Sequence, residues 1–113
     1  MAKVYVVCEP MKKTIYGVRS LDLSDAAKYG EIVVLLEHNQ SLLSPVPTVR
    51  ELKRKLHAYS DEDYILPIGD PALIATVGII AAQINNGKVN FLRWDRFTKG
   101  YGKISIDTSG RTL

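Results

Sequence analysis

The sequence has little of what marks disulfide-rich, membrane or secreted proteins. It contains one cysteine, Cys8, in 113 residues, which excludes an intrachain disulfide and fits a reducing compartment. Its longest uncharged stretch, Pro71 to Gly87, is too short and too polar to span a bilayer. Residues 1–8 form too short a run, with polar flanks, for a signal peptide. We therefore expect a cytoplasmic protein that does not contact a membrane.

Catalytic and metal-binding motifs are missing as well. The sequence has no P-loop, nucleophile elbow or dinucleotide fingerprint. His38 and His57 lie 19 residues apart, and no cysteine or histidine ligand pattern surrounds them. Cys8 lies in an apolar run, which indicates a buried structural thiol and not a nucleophile. We expect a protein that is not an enzyme and needs no cofactor.

What is present is ordinary for one globular domain. Hydrophobic residues make up 46% of the chain and charged residues 24%, enough for one core and too few charges for disorder. We treat residues 1–113 as a single domain, with residues 108–113 as a flexible tail. The net charge of +3 permits an acidic partner such as nucleic acid without requiring one.

The hydrophobic pattern predicts an α/β fold with a mixed sheet, two main helices and a C-terminal β-hairpin, in the order ββαβαββ. Strands are expected over Lys3 to Glu9 and over Glu31 to Glu37, whose continuous apolar run is typical of a strand buried on both faces. A strand over Tyr64 to Ile68 contains Pro67, which places it at a sheet edge or leaves its pairing incomplete. Residues 11–30 lack a clear period and are read as an excursion.

The first helix is expected to begin at Thr48, because Glu51 three residues later completes a capping box. Pro45 and Pro47 would hold the approach to it extended. An apolar stripe at helical spacing runs along one face. The opposite face is basic and carries Arg50, Lys53, Arg54 and Lys55.

The second helix is expected from Pro71 to about Asn85, with Asp70 as its N-cap after the turn residue Gly69. This helix is apolar nearly all round, so it must be covered on most sides. Either the 11–30 excursion or a second copy of the protein covers it, and we favour a homodimer.

The C-terminal hairpin is expected to pair Lys88 to Phe97 with Gly102 to Asp107 across a turn at residues 98–101. Alternation predicts a buried side made by the apolar residues Leu92, Trp94, Ile104 and Ile106. The opposite side would carry Arg93, Asp95, Tyr101 and Lys103.

Asp70 is the sharpest single candidate for chemistry. A strand that ends in a glycine turn at a helix N-terminus is where α/β proteins place ligands. The carboxylate of Asp70 would repel a phosphate, so a structural cap is the favoured interpretation, with a divalent-metal site as the alternative if a second carboxylate converged. Asp61-Glu62-Asp63 is interpreted as a solvated loop.

Two basic clusters are the candidate binding surfaces. The first is the basic helix face. The second is interleaved with aromatic residues on the hairpin, an arrangement that suits single-stranded nucleic acid. The alternative is that its charges keep the sheet edge soluble. Its proposed contact residues are Arg93, Arg96, Phe97, Lys99, Tyr101 and Lys103.

Three segments also resemble a family of small proteins of tailed bacteriophages, many of them marine. These are Asp61 to Pro71, the Ala/Ile-rich helix that runs to Gly87, and Phe91 to Arg96; the opening strand Val4 to Val7 adds to the likeness. The resemblance implies a context, the cytoplasm of an infected bacterial host, and carries over no functional residues.

The leading hypothesis is a non-enzymatic phage accessory protein that binds a host or phage macromolecule, most of all a protein. The first alternative is a nucleic-acid-binding protein that uses the basic helix face and the basic, aromatic hairpin. The second is a small metal-dependent hydrolase centred on Asp70.

Overall fold

A five-stranded sheet organises the fold. The structure is a computed structural model that describes residues 1–14, 17–20, 23–37 and 45–111, without the side chains of residues 11–20. The turn predicted at residues 38–41 lies outside these ranges. In chain order the elements are β1 (Lys3–Cys8), β2 (Met11–Thr14), β3 (Gly17–Ser20), a 3-10 turn (Ala26–Tyr29), β4 (Glu31–Leu36), α1 (Pro45–Leu56), β5 (Tyr64–Leu66), α2 (Pro71–Ile84), β6 (Lys88–Asp95) and β7 (Gly100–Asp107).

The strands of the main sheet lie in the order β4-β1-β5-β6-β7. β1 is parallel to both β4 and β5, and β5 is parallel to β6. Only β7 is antiparallel, and it forms the hairpin with β6. This confirms the α/β class, the mixed sheet and the predicted order ββαβαββ, to which the structure adds a separate antiparallel pair, β2–β3, within the 11–30 excursion.

The connections lie on opposite faces of the sheet because the chain reverses direction. The chain passes from β1 to β4 in one direction along the sheet and then returns past β1 to β5 in the other direction. Because crossovers between parallel strands are right-handed, this reversal places the two connections on opposite faces. Accordingly, α1 and α2 pack on one face against Tyr5 and Val7 of β1. On the opposite face, Ala26 of the 3-10 turn packs against Val4 and Val6.

The alternation of β1 therefore supplies two cores at once. Its residues Val4 to Val7 are all buried, and successive side chains point to opposite faces of a strand. The helix-side core is the larger and includes Leu52, Leu56 and Leu73. Burying one such leucine contributes about 1.5–3 kcal/mol, so the helix side carries most of the stability.

One strand prediction needs correction. β4 is an edge strand with Val34 39% exposed, and it is not buried on both faces as its apolar run suggested. For β5, Pro67 predicted either an edge position or incomplete pairing, and the strand lies in the middle of the sheet. It is short enough to stop at Leu66, before the proline, so the second prediction for it, incomplete pairing, is confirmed.

The predicted start of α1 at Thr48 was also wrong. The helix begins at Pro45, so Thr48 lies inside it and is buried. Pro45 and Pro47 fit the first turn because the backbone N–H groups there have no intrahelical acceptor, and proline has none to lose. The start of α2 at Pro71 was predicted correctly, and it ends at Ile84, one residue before the predicted end.

Candidate functional site

The register of the β6–β7 hairpin divides its apolar residues between two faces. Ile104 pairs with Phe91, and Ile106 pairs with Val89. Because paired residues share a face, both isoleucines lie on the helix side, where Val89 and Phe91 join the core. Leu92 lies on the opposite side.

The prediction that Leu92, Trp94, Ile104 and Ile106 form one buried side is therefore wrong. Leu92 is buried, while Trp94 is 42% exposed. The predicted polar side is divided in the same way. Tyr101 and Lys103 of β7 pair with Trp94 and Leu92, so they lie on the face opposite to Arg93 and Asp95 of β6. The alternation within each strand was right, and the matching of faces between strands was not.

An open groove lies between α2 and the hairpin, and we call it the α2–β7 groove. Its volume is about 470 Å³, and its lining is almost entirely apolar. Ile79 on α2 is 58% exposed and Ile106 on β7 is 41% exposed. The lining residues are Ile74, Ala75, Gly78, Ile79, Ala82, Gln83, Val89, Phe91, Ile106 and Thr108.

The groove exists because α2 has two apolar faces. Leu73, Val77, Ile80 and Ala81 face the sheet and are buried. A second stripe, at helical spacing, consists of Ala75, Gly78, Ile79 and Ala82 and lines the groove. Only one face of a helix can lie on a sheet, so the second stripe faces outward in the described part of the chain.

Thr108 closes one end of the groove. Its backbone N–H donates to the Gly87 carbonyl at 2.8 Å, and the Gly110 N–H donates to the Asp107 carbonyl at 3.0 Å. The chain is thus hydrogen-bonded past β7, at positions where a flexible tail was expected. Residues 112–113 lie outside the described ranges.

Asp70 caps α2 as predicted. Its Oδ1 accepts from the backbone N–H groups of Ala72, at 2.7 Å, and Leu73, at 3.3 Å. Within the described ranges, no three histidine, cysteine, aspartate or glutamate side chains come close enough to hold a metal ion. The Asp70 carboxylate is therefore engaged by backbone N–H groups of α2.

Cys8 and Gly69 make a close contact at the carboxyl ends of β1 and β5. A Cβ on Gly69 would lie 2.5 Å from the Cys8 Sγ, and Gly69 has φ of +130°, so only glycine fits this position. Burial raises the pKa of the Cys8 thiol. The side chain behaves as the buried structural cysteine that the sequence predicted.

The basic helix face is only partly free. Lys55 is held in place, because its Nζ donates to the Leu35 carbonyl of β4 and pairs with Glu51 at 3.0 Å. Arg50, Lys53 and Arg54 are exposed. Since β4 and β7 are opposite edges of the sheet, this face and the hairpin do not merge into one basic surface.

The tip of the hairpin presents an aromatic and basic cluster. Phe97 is 96% exposed, and the rings of Trp94 and Tyr101 meet edge to face with centroids 5.1 Å apart. The Phe97 N–H donates to Asp95 Oδ1 at 2.8 Å, which shapes the turn and lowers the pKa of that carboxyl. The exposed cations of the hairpin include Arg93, Arg96, Lys99 and Lys103, and Arg93 lies on the face of β6 opposite to Trp94.

The loop before β5 is not the solvated acidic stretch that was predicted. Asp63 is only 3% exposed, and its carboxylate accepts from the backbone N–H groups of Lys3 and Ser60, both at 2.9 Å. The Tyr59 hydroxyl accepts from the Asn90 N–H at 2.9 Å. Asp63 is therefore a structural link between β1 and the loop, while Asp61 and Glu62 are exposed as expected.

Sequence reasoning missed the α2–β7 groove. The available signal was the composition of α2, which was recognised as needing cover on most sides. The 3-10 turn of the excursion does not supply that cover, because it lies on the other face of the sheet. None of the helices described has the length and apolar character needed to cross a membrane.

Comparison with known proteins identifies a family. The profile of a family described as Phage Pam3 gp32-like protein matches residues 2–108. No curated protein matches the chain. No solved structure matches it either. The family match confirms the resemblance to small phage proteins.

Proposed function

The chain belongs to the Phage Pam3 gp32-like protein family, and on that premise we propose that it is a non-enzymatic phage accessory protein that binds another protein. The α2–β7 groove is the proposed binding surface. The partner is a host or phage protein that inserts an apolar segment into the groove.

The observation that carries this proposal is the exposed apolar stripe of α2 beside the exposed isoleucines of β7. Single apolar residues are common on protein surfaces, but a contiguous apolar patch at a groove is typical of a protein-binding site. The groove is lined by well-packed elements, so a partner would meet a preformed site and little ordering would oppose binding.

The shape of α2 favours close approach of the partner. The small residues Ala75, Gly78 and Ala82 make the α2 wall of the groove low. Ile79 lies between them and is the large apolar side chain that α2 exposes there. An amphipathic helix with apolar residues at i, i+3, i+4 and i+7 presents the matching ridge. The groove therefore suits a helical segment better than a polar loop.

Charge adds a preference for flanking residues. Arg93 lies on the same face of β6 as Phe91, one alternation further along, and Arg96 follows in the turn. Both side chains are exposed. A partner segment with acidic residues beside its apolar stripe would complement this end of the groove, and charges at such a rim raise the association rate more than the affinity.

The test compares two outer-face substitutions, both at exposed positions. Ile79→Glu places a charge in the groove, and Arg54→Glu reverses a charge on α1, outside it. We expect a partner captured from infected-cell lysate, and then purified, to bind the Arg54→Glu variant normally and the Ile79→Glu variant at least about tenfold more weakly in calorimetry. Equal binding by both variants would exclude the groove. Both variants should unfold cooperatively.

Nucleic-acid binding through the hairpin tip is the second candidate. The exposure of Phe97 and the pairing of Trp94 with Tyr101, beside Arg96 and Lys99, favour it. Fluorescence anisotropy with single- and double-stranded oligonucleotides tests it across a range of salt concentrations. Binding whose logarithm falls steeply with log salt, and that Arg96→Glu and Lys99→Glu weaken, would replace the groove proposal. No binding at low salt would exclude this candidate.

A further inference from the structure

β7 forms an edge of the sheet along its full length of eight residues, Gly100–Asp107. Residues 102–106 are all exposed. Edge strands present unpaired backbone groups that another strand can pair with, and proteins usually shorten, twist or cover them. No element in the described part of the chain pairs with the outer side of β7.

The register shows which residues of β7 point their backbone groups outward. The Thr108 N–H donates to the Gly87 carbonyl, which extends the pairing of Lys88 with Asp107 by one step. In an antiparallel pair, hydrogen-bonded positions alternate. The even-numbered residues of β7 therefore bond to β6, and the N–H and C=O groups of Lys103 and Ser105 face away from the sheet.

The Tyr101 carbonyl agrees with this assignment. It accepts from the Tyr29 hydroxyl at 2.9 Å, as an outward-facing carbonyl can. That contact covers the beginning of the outer side of β7, so the stretch open to pairing starts at Gly102.

This open stretch is complementary to itself. When a second β7 runs antiparallel with Ser105 opposite Ser105, Lys103 lies opposite Asp107, and Ile104 lies opposite Ile106. Each of these pairs occurs twice. Opposite charges and β-branched residues directly across a ladder both stabilise it. A register whose paired positions sum to 208 instead of 210 would place Lys103 opposite Ser105, and one with a sum of 206 would place it opposite another Lys103.

We propose that a second copy of this chain pairs antiparallel with β7, with Ser105 on the two-fold axis. The sheet then continues through both copies. The N–H and C=O groups of Ser105 pair with those of the second copy's Ser105, and the Lys103 carbonyl accepts from the Asp107 N–H. The Asp107 carbonyl already accepts from the Gly110 N–H and takes the Lys103 N–H as a second donor. Lys103 contacts the Tyr64 ring at 5.9 Å in the single chain, near the outer limit for such a contact, so it is free to turn toward the carboxylate.

The pairing is expected to be a concentration-dependent equilibrium. A few residues of strand edge bury less surface than the roughly 1,200–2,000 Å² of a standard stable interface. Self-association also goes beyond the proposed function, since it needs no phage or host partner. The pairing places Ile104 and Ile106 of both copies on the helix side of the sheet, so that the two α2–β7 grooves become continuous.

Single cysteines test the register. At a hydrogen-bonded pair the Cα atoms lie about 5.5 Å apart, within the range that a disulfide spans. We expect Ser105→Cys to form a covalent dimer on mild oxidation at about 100 μM, while Lys103→Cys and Ile104→Cys stay monomeric on non-reducing gels. The unsubstituted chain is the control for Cys8, which is buried.

A charge exchange provides an independent measurement. Sedimentation velocity should show that Lys103→Asp weakens self-association several-fold and that adding Asp107→Lys restores it. Cross-linking through residue 104 or 103 in place of 105 would overturn the register. A monomer at all concentrations, without cross-linking at any of the three positions, would overturn the dimer. Arg54→Glu, on the exposed face of α1, should leave dimerisation unchanged. Neither the cross-linking nor the sedimentation measurement involves the partner of the groove, so failure here is distinct from failure of the groove proposal.

Discussion

The two helices lie side by side on one face of the sheet, yet they differ in what their outer surfaces require. α1 has an apolar inner stripe and a charged outer face, with Lys53 and Arg54 exposed to solvent. α2 has an equally apolar inner stripe, but its outer face carries Ala75 and Ile79. The inner faces explain the fold, and the difference between the outer faces is the basis for proposing a binding surface on α2.

The inner faces should be equivalent, and truncating them should have the largest effect. Leu52 on α1 and Leu73 on α2 are both fully buried in the same core. We expect Leu52→Ala and Leu73→Ala each to lower the free energy of unfolding by about 2–5 kcal/mol, measured by urea denaturation. If only one of them is costly, the two helices do not share one core.

The segment just after α1 should respond to high pH. Burial raises the pKa of Tyr59 to about 12, from 10.0 for an ordinary tyrosine. The folded state keeps its proton while the unfolded state loses it, so stability should fall as the pH rises from about 10 to 12. Tyr59→Phe should reduce that pH dependence, and the remainder should come from Tyr5 and Tyr101, whose pKa values burial also raises. The substitution should also lower stability at neutral pH by about 1 kcal/mol, because the Asn90 N–H loses its acceptor. Denaturation at a series of pH values measures both effects.

The outer face of α1 should itself divide into two kinds of position. Lys55→Glu loses the bonds to the Leu35 carbonyl and to Glu51, and it sets two carboxylates side by side, so we expect a loss of about 1–2 kcal/mol. Arg54→Glu, at an exposed position, should change stability by less than about 0.5 kcal/mol. Equal effects in thermal denaturation would show that Lys55 is as free as its neighbour.

The N-cap of α2 should give a smaller effect than the core substitutions. Asp70→Ala should cost about 1 kcal/mol, and Asp70→Asn should be nearly silent, because asparagine caps about as well. The same samples, titrated with divalent metal ions, should show no shift in melting temperature. A shift with the unsubstituted chain that is lost in the asparagine variant would support the metal site over the cap.

Features governed by neighbouring residues were predictable from the sequence. The cap at Asp70 and the proline at the first position of α2 involve only local backbone groups, so the local pattern was enough. The order of helices and strands along the chain followed from hydrophobic runs of different period. In each case the residues that decide the structure lie within a few positions of one another.

Features decided by distant contacts were not predictable in the same way. Alternation shows that Ile104 and Ile106 share a face, but which face is covered depends on where α2 crosses the hairpin. Pro67 left open whether β5 lies at an edge or pairs incompletely, and its place in the centre of the sheet is decided by β1 and β6 on either side of it. The groove likewise depends on how far α2 extends over β7, which no local pattern encodes.

The position of β1 has a consequence for synthesis. It is the first strand made, and it lies at the centre of the parallel strands, between β4 and β5. Its second neighbour is complete only when Leu66 has been added. At about 5–20 residues per second, the apolar run Val4 to Val7 waits about 3–12 s for that strand. During this interval the nascent chain is open to capture by chaperones or to aggregation, so the yield of native protein should depend on translation speed and temperature more than the modest size of the domain suggests.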